Sequence, residues 1–384
     1  MRAPLAWLSG VILAVSAAHA GAAPGVNDDR VLFGQTAAFE GPAAALGNGM
    51  NLGLRAAFTP INEDGGVNGR QLEITKANDG YEPDQAIANT KRFINDETVF
   101  GLIGPVGTPT SKAIQPIAEE SGVPYIGPFT GAAFLRKPEN ANVVNIRGAH
   151  DDEAEAWMKY LVDDQGHEDI AILYQDDSYG RAGLSGVKKA LDKRDMSLAA
   201  EATYPRNTTA VKSAALDISG ADPDAVVTVG AYKPVAEFIR VMKQLGADVP
   251  VVNLSFTGSA ALAEELSGET DGNVFVTQVV PHPENSDKPI VTQYREDLSA
   301  VAPDAEPGFV SLEGYLVGRV TAEVLGEMDG APTRDGFLKQ VEAMGTFDLG
   351  GLEFSYGPED NQGLETIFLT RLTSDGSYET VETY

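Results

Sequence analysis

In Phe100-Gly101-Leu102-Ile103-Gly104-Pro105-Val106-Gly107-Thr108-Pro109-Thr110-Ser111, an apolar run of strand length opens into a loop of glycines, prolines and hydroxyls that leads into a helix. A strand feeding a helix through a short loop is half of a βαβ unit, and the rest of the chain repeats it. Strand-like runs over residues 31–36, 71–76, 100–104, 124–127, 143–147, 170–174, 225–230, 249–254 and 274–280 alternate with amphipathic stretches. In one of these, Leu46, Met50, Leu54, Ala57 and Ile61 recur at helical spacing, and Asn62-Glu63-Asp64-Gly65-Gly66 stops them. Phe238, Val241, Met242 and Leu245 do the same ahead of Gly246. The pattern predicts an α/β fold on mostly parallel sheets, with these stripes as core.

At 384 residues the chain exceeds what one core usually fills, so two domains are expected. A break falls at Gly148-Ala149-His150-Asp151-Asp152, where one βα series ends and another begins with an acidic first turn that suits the helix dipole. The second series runs to about Gln278, and the extended Val279-Val280-Pro281-His282-Pro283 leads to two strong helices over residues 289–301 and 308–328. From Leu352 onward the tail alternates as strands do. A chain that leaves one lobe and later returns to it explains two domains without a flexible linker. The expected division is residues 27–148 with 279–360 for the first lobe, and 149–278 with 361–384 for the second.

The balance of 28 Lys and Arg against 56 Asp and Glu leaves a net charge of −28, which opposes nucleic acid or anionic lipid as a partner. Zero cysteines remove disulfides, thiolate metal sites, a cysteine nucleophile and a lipid-anchoring cysteine together. The four histidines, His19, His150, His167 and His282, are scattered, so neither a metal site nor a cofactor is expected. Arg2, the apolar residues 3–18 and Ala18-His19-Ala20 read as a cleaved signal peptide over residues 1–20, shorter than the ~20 apolar residues of a membrane span. Export without a lipid anchor points to the periplasm.

Ligands of open α/β sheets gather at the carboxyl ends of strands, and three loops there hold candidate residues. The hydroxyls and N–H groups of Gly104 to Ser111 suit a carboxylate at a helix N-terminus, or simple capping. Gly127-Pro128-Phe129-Thr130-Gly131-Ala132 lets the backbone approach a ligand, or makes a tight turn. Tyr174-Gln175-Asp176-Asp177-Ser178-Tyr179-Gly180 offers a polar cluster and an aromatic, with Asp177 or Ser178 also suited to a helix cap. Catalytic motifs are weak. Ser185-Gly186-Val187-Lys188 matches S-x-x-K inside a helical stretch without its partner elements, Gly47-Asn48-Gly49 with Gly53 misses the dinucleotide spacing, and no G-x-S-x-G occurs. Glu40 with Glu313 would be a possible acid/base pair, though solvated surface suits them better. No enzyme is expected.

Gly34-Gln35-Thr36 leading to Gly41-Pro42, the run from Ile61 to Arg70, the loop from Gly104 to Ser111 and the segment from Tyr174 to Gly180 together resemble the branched-chain amino-acid type of ABC-transporter substrate-binding protein. The resemblance implies a type I periplasmic binding protein fold, two Rossmann-like lobes joined by a three-segment hinge, with crossovers near residues 147–152, 278 and 357–362. It implies a monomer that closes on a small ligand and hands it to an ABC permease. A sensing subunit acting on a membrane kinase or chemoreceptor is the alternative. By the resemblance, Thr108, Phe129, Thr130 and Gly131 take the ligand's carboxylate, Tyr179 and Tyr232 are second-lobe aromatics, and Leu46 replaces a first-helix aromatic. Ser255 stands where the family has an acid for the ligand's ammonium. A buried charge stripped of its partner costs about 3–5 kcal/mol. Either Asp177, Glu40 or Glu313 substitutes, or the ligand carries no ammonium.

Overall fold

The computed structural model describes residues 23–270 and 272–384; the leader expected over residues 1–20 lies outside them. Strands β1 (Arg30–Ala37), β2 (Gln71–Asn78), β3 (Gly101–Ile103), β4 (Tyr125–Ile126) and β5 (Val143–Val144) form a parallel sheet in the order β2-β1-β3-β4-β5. Helices α1 (Ala44–Glu63), α2 (Pro83–Asn95) and α3 (Thr108–Glu120) connect its strands. After α4 (His150–Met158) the chain enters a second sheet. This sheet takes β6 (Ile170–Gln175), β7 (Ala200–Tyr204), β8 (Ala225–Val229), β9 (Val251–Asn253) and β10 (Val274–Gln278), interleaved with α5 (Ser178–Asp192), α6 (Lys212–Gly220), α7 (Tyr232–Gln244) and α8 (Ser259–Leu266).

The chain then returns. Helices α9 (Pro289–Val301) and α10 (Phe309–Gly326) pack on α1, and α11 (Arg334–Met344) leads into a small antiparallel sheet of β11 (Thr346–Asp348), β12 (Glu353–Gly357) and β13 (Asp360–Gly363). Finally β14 (Phe368–Leu372) and β15 (Tyr378–Thr383) add antiparallel strands to the second sheet, whose order is β15-β14-β10-β9-β8-β6-β7. The fold is thus α/β with two lobes, as the alternation predicts.

Strands β8 and β10 are buried at every residue because helices cover both faces, which is why they read as continuous apolar runs. The expectation fails where tertiary contacts override pattern. The run over 143–147 is a two-residue strand, because Asn145 N–H turns to donate to the Asn361 carbonyl (2.9 Å) and Arg147 turns inward. Strand β7 was not anticipated, since it lies at the sheet edge and buries only Ala202 and Tyr204. Helix α10 reaches α1 through glycine: a Cβ on Gly314 would run into the Met50 carbonyl.

In both sheets the strand order reverses beside the first strand, between β1 and β3 and between β6 and β8. Loops at the carboxyl ends diverge at such a point and leave a crevice. The candidate loops all stand there, one set from each lobe. Among the described residues no helix is long and apolar enough to cross a membrane.

Candidate ligand-binding cleft

The loop before α3 is shaped by Gly107, whose φ of 106° is open to glycine and where a side chain would strike the Tyr81 ring. It delivers Thr108 to the cleft with its hydroxyl 2.6 Å from that of Thr130, which follows β4. Beyond Thr130 lies His150, the first residue of α4. Gly131 N–H donates to its Nε2 (3.2 Å), and the Thr130 hydroxyl is 3.3 Å from the same nitrogen. A ring nitrogen that accepts an amide N–H carries no proton, so the proton sits on Nδ1 and faces Glu153 Oε1 at 3.4 Å. Burial pushes the His150 pKa down, which keeps this ring neutral.

Glu153, also fully buried, is the acid beside Ser255. It accepts from Ser255 N–H (2.8 Å), the Ser255 hydroxyl (3.0 Å), the Thr277 hydroxyl and His150. Burial alone would raise its pKa, but the hydrogen bond from His150, the charge of Arg147 and the Thr277 bond outweigh burial and hold it below the usual range. Four donors use the four lone-pair positions of a carboxylate.

Arg147 is the cleft's buried cation. Its Nε and Nη2 donate to Glu313 Oε1 and Oε2 at 2.8 Å each, and its guanidinium lies 4.3 Å from the centre of the Phe129 ring. Burial would depress its pKa, and Glu313 more than restores it. The remaining nitrogen, Nη1, is buried and has no hydrogen-bond partner among the described residues; the same holds for the hydroxyl of Tyr179. Burial, then the neighbouring Tyr81, push the Tyr179 phenol far above its usual pKa, so it is a donor. Arg136 ties the loop to the crossover, donating to the carbonyls of Ala132, Arg147 and Gly148 (3.2, 2.8 and 3.1 Å); burial and the Arg147 charge lower its pKa to about 10.

Phe256, one residue past Ser255, fills the space between the lobes. Its ring centre lies 4.5 Å from Tyr179, 5.4 Å from Phe129 and 5.9 Å from Tyr81. The structure therefore gathers Thr108, Phe129, Thr130, Gly131, Tyr179 and Ser255 in one cluster. Leu46 and Tyr232 meet beside Gly258, where Ala45 N–H donates to the Tyr232 hydroxyl across the lobes (3.3 Å).

None of the three acids named as substitutes at Ser255 is free there. Asp177 caps α5 through Tyr179 N–H (2.9 Å) and meets Arg206, Glu313 holds Arg147, and Glu40 is exposed. At the rim, Arg206 bridges Asp177 (3.2 Å) and first-lobe Glu82 (2.7 Å), while Asn207 Nδ2 donates to Gly80 O (3.0 Å) and Glu82 Oε1 (2.7 Å). Behind this rim lies a cavity of about 420 Å³ lined by Pro42, Ala43, Tyr81, Gln175, Asn207 and Ala231, among others. Among the described residues no group of three or more His, Asp or Glu is arranged to hold a metal ion.

Arg147, Glu153, Phe256 and Tyr81 were missed in the sequence. Tyr81 and Phe256 each follow a strand's carboxyl end, the position that drew attention to Tyr179, and that signal would have found them. Glu153 resembles the exposed acids beside it, and only packing separates them.

A family model described as periplasmic binding protein matches residues 31–377. The Leu/Ile/Val-binding protein homolog 7 of Brucella abortus (strain 2308) is 25% identical over 389 aligned positions, covering 97% of this chain and 95% of the relative. The Leu/Ile/Val-binding protein of Escherichia coli (strain K12) is 24% identical, over 66% of this chain and 69% of the relative. Among solved structures, a possible leucine/isoleucine/valine-binding protein from Rhodopirellula baltica SH 1 superposes with a TM-score of 0.88 at 32% identity, covering 92% of this chain and 97% of that one. A match that spans nearly the whole chain, on the same two-lobed fold, makes this chain a member of the periplasmic binding protein family, of the type that the branched-chain amino-acid binding proteins represent.

Proposed function

We propose that this protein is the periplasmic solute receptor of an ABC importer, taking a small carboxylate-bearing molecule between its lobes without making or breaking a bond. The observation that carries this reading is the meeting, in one buried cluster, of polar and aromatic side chains from loops of opposite lobes. The first lobe, taken as residues 27–148 and 279–360, contributes Thr108, Phe129, Thr130, Gly131 and Arg147. The second, residues 149–278 and 361–384, contributes Tyr179, Ser255 and Phe256. The names of the Brucella and Escherichia relatives support a solute of amino-acid size. The solute docks while the lobes are apart, and closure then excludes water and strengthens each polar contact. Moving an open-to-closed ratio from 1:99 to 99:1 needs about 5.5 kcal/mol of differential binding, within reach of several charge-assisted hydrogen bonds and one buried ring. The closed monomer is what a permease in the inner membrane engages.

The test is a thermal-shift screen of the mature protein, refolded to strip bound solute, against amino acids, amides and small carboxylates, with small-angle scattering on every hit. A ligand at 100 times its Kd adds about 2.7 kcal/mol of stability, which is several degrees, and it should compact the scattering profile. If no solute in the panel stabilises or compacts the protein, the reading is wrong.

A further inference from the structure

Two donors in the cleft stand out by what they lack. Arg147 Nη1 and the Tyr179 hydroxyl belong to side chains 1% and 0% exposed, and neither atom meets an acceptor among the described residues. Buried polar groups are rarely left so, because an unmet donor has lost its hydration with nothing in return, and a charged one has lost the most. They come from opposite sides of the cleft, one from the end of the first sheet and one from the first turn of α5. Both border the same aromatic cluster, Arg147 over Phe129 and Tyr179 against Phe256. The donors that the family resemblance gives to a ligand carboxylate are engaged elsewhere: Thr108 and Thr130 hold one another, and Gly131 N–H is bound to His150. Neither acid beside Ser255 and Arg147 is left for an ammonium, since Glu153 is saturated by four donors and Glu313 is chelated by Arg147.

From this juxtaposition we infer that the solute is a carboxylate without an adjacent amine, its oxygens received by Arg147 Nη1 and the Tyr179 hydroxyl and its apolar body displacing the Phe256 ring. Glu313 holds the Nε and Nη2 edge of the guanidinium and orients it, so that Nη1 donates to one oxygen while the phenol donates to the other. Tyr81 and Phe129 then flank the apolar body. The inference rests on the cleft being a solute site, and it specifies the chemistry of that site.

Isothermal titration of the stripped protein with matched pairs tests it: leucine against 4-methylpentanoate, phenylalanine against 3-phenylpropanoate, alanine against propanoate. The amine-free member of at least one pair should bind about tenfold or more tighter than its amino acid. Tyr179→Phe, which removes one oxygen and keeps the packing, should weaken that carboxylate by about tenfold, the scale of a lost hydrogen bond to a charged group. Arg147→Lys is the harsher variant, and its fold is checked by circular dichroism before titration. Amino acids that bind as well as their amine-free partners in every pair overturn the inference, as does a Tyr179→Phe protein that binds the carboxylate undiminished, or no binding by any amine-free acid. Scattering separates the two levels. If amino acids or amides close the lobes and carboxylates do not, only the carboxylate assignment falls; if nothing closes them, the solute-receptor reading falls with it.

Discussion

Asp79, at the end of β2, is a second buried acid at the cleft, and its surroundings treat it in the opposite way to Glu153. Glu153 has enough donors to overcome burial, whereas Asp79 has two, the Thr36 hydroxyl (2.8 Å) and Tyr81 N–H (2.8 Å), and burial wins, raising its pKa from 3.8 to about 6. That displacement corresponds to about 3 kcal/mol. A carboxyl whose folded pKa is raised contributes stability that is fully present below pH 3.8 and is lost as pH rises through 6. Asp79→Asn removes this titration. We predict that the stability of the variant relative to wild type rises by about 3 kcal/mol between pH 4 and pH 8. Urea denaturation at a series of pH values measures it, and a difference independent of pH would show that Asp79 titrates normally.

At the scale of elements, the crossing of α1 and α10 decides how firmly the returning segment sits on the first lobe. Alanine in place of glycine inside a helix gains up to about 1 kcal/mol from propensity, but a methyl on Gly314 has no room beside the Met50 carbonyl, and overpacking costs about 1–3 kcal/mol. We predict that Gly314→Ala is destabilised by about 1–2 kcal/mol, while Gly326→Ala, in open space at the end of the same helix, is neutral or slightly stabilised. Equal denaturation midpoints for the two variants would contradict the close crossing. The same contrast between local pattern and tertiary contact explains what the sequence revealed. Strands buried on both faces announced themselves, and the helix expected over 289–301 is α9 to the residue. The edge strand β7 did not, because half of its side chains face water and its composition resembles a loop. In the cleft, Thr108, Thr130 and Tyr179 were legible because hydroxyls and aromatics after strands are unusual. Asp151, Asp152 and Glu153 form one acidic turn in the sequence, yet Asp152 caps the helix by accepting Ala149 N–H (3.0 Å) while Glu153 turns inward. Nothing local distinguishes them, since what separates them is the position of Ser255, just past the end of β9 and about a hundred residues away.

For the whole molecule, the rim contacts of Arg206 and Asn207 have a consequence for closure that the buried cluster does not share. They join the second lobe, after β7, to Glu82 and Gly80 of the first, and they exist only when the lobes are together. Arg206 is 23% and Glu82 47% exposed, so the ion pair itself contributes no more than about 1 kcal/mol. A contribution of that size still shifts the open-to-closed ratio about fivefold, because 1.4 kcal/mol is a factor of ten. The absence of cysteine from the sequence makes this measurable, since Lys91→Cys on α2 and Ser213→Cys on α6, both exposed and one on each lobe, take spin labels without background. We predict that Arg206→Ala moves the inter-label distance distribution toward the longer, open population, and that solute dissociation accelerates by up to about fivefold with little change in association. Raising salt should move wild type in the same direction but leave Arg206→Ala nearly unchanged, because screening acts on a pair the variant no longer has. Identical distance distributions in wild type and variant would mean that closure is held by the Phe256 cluster alone.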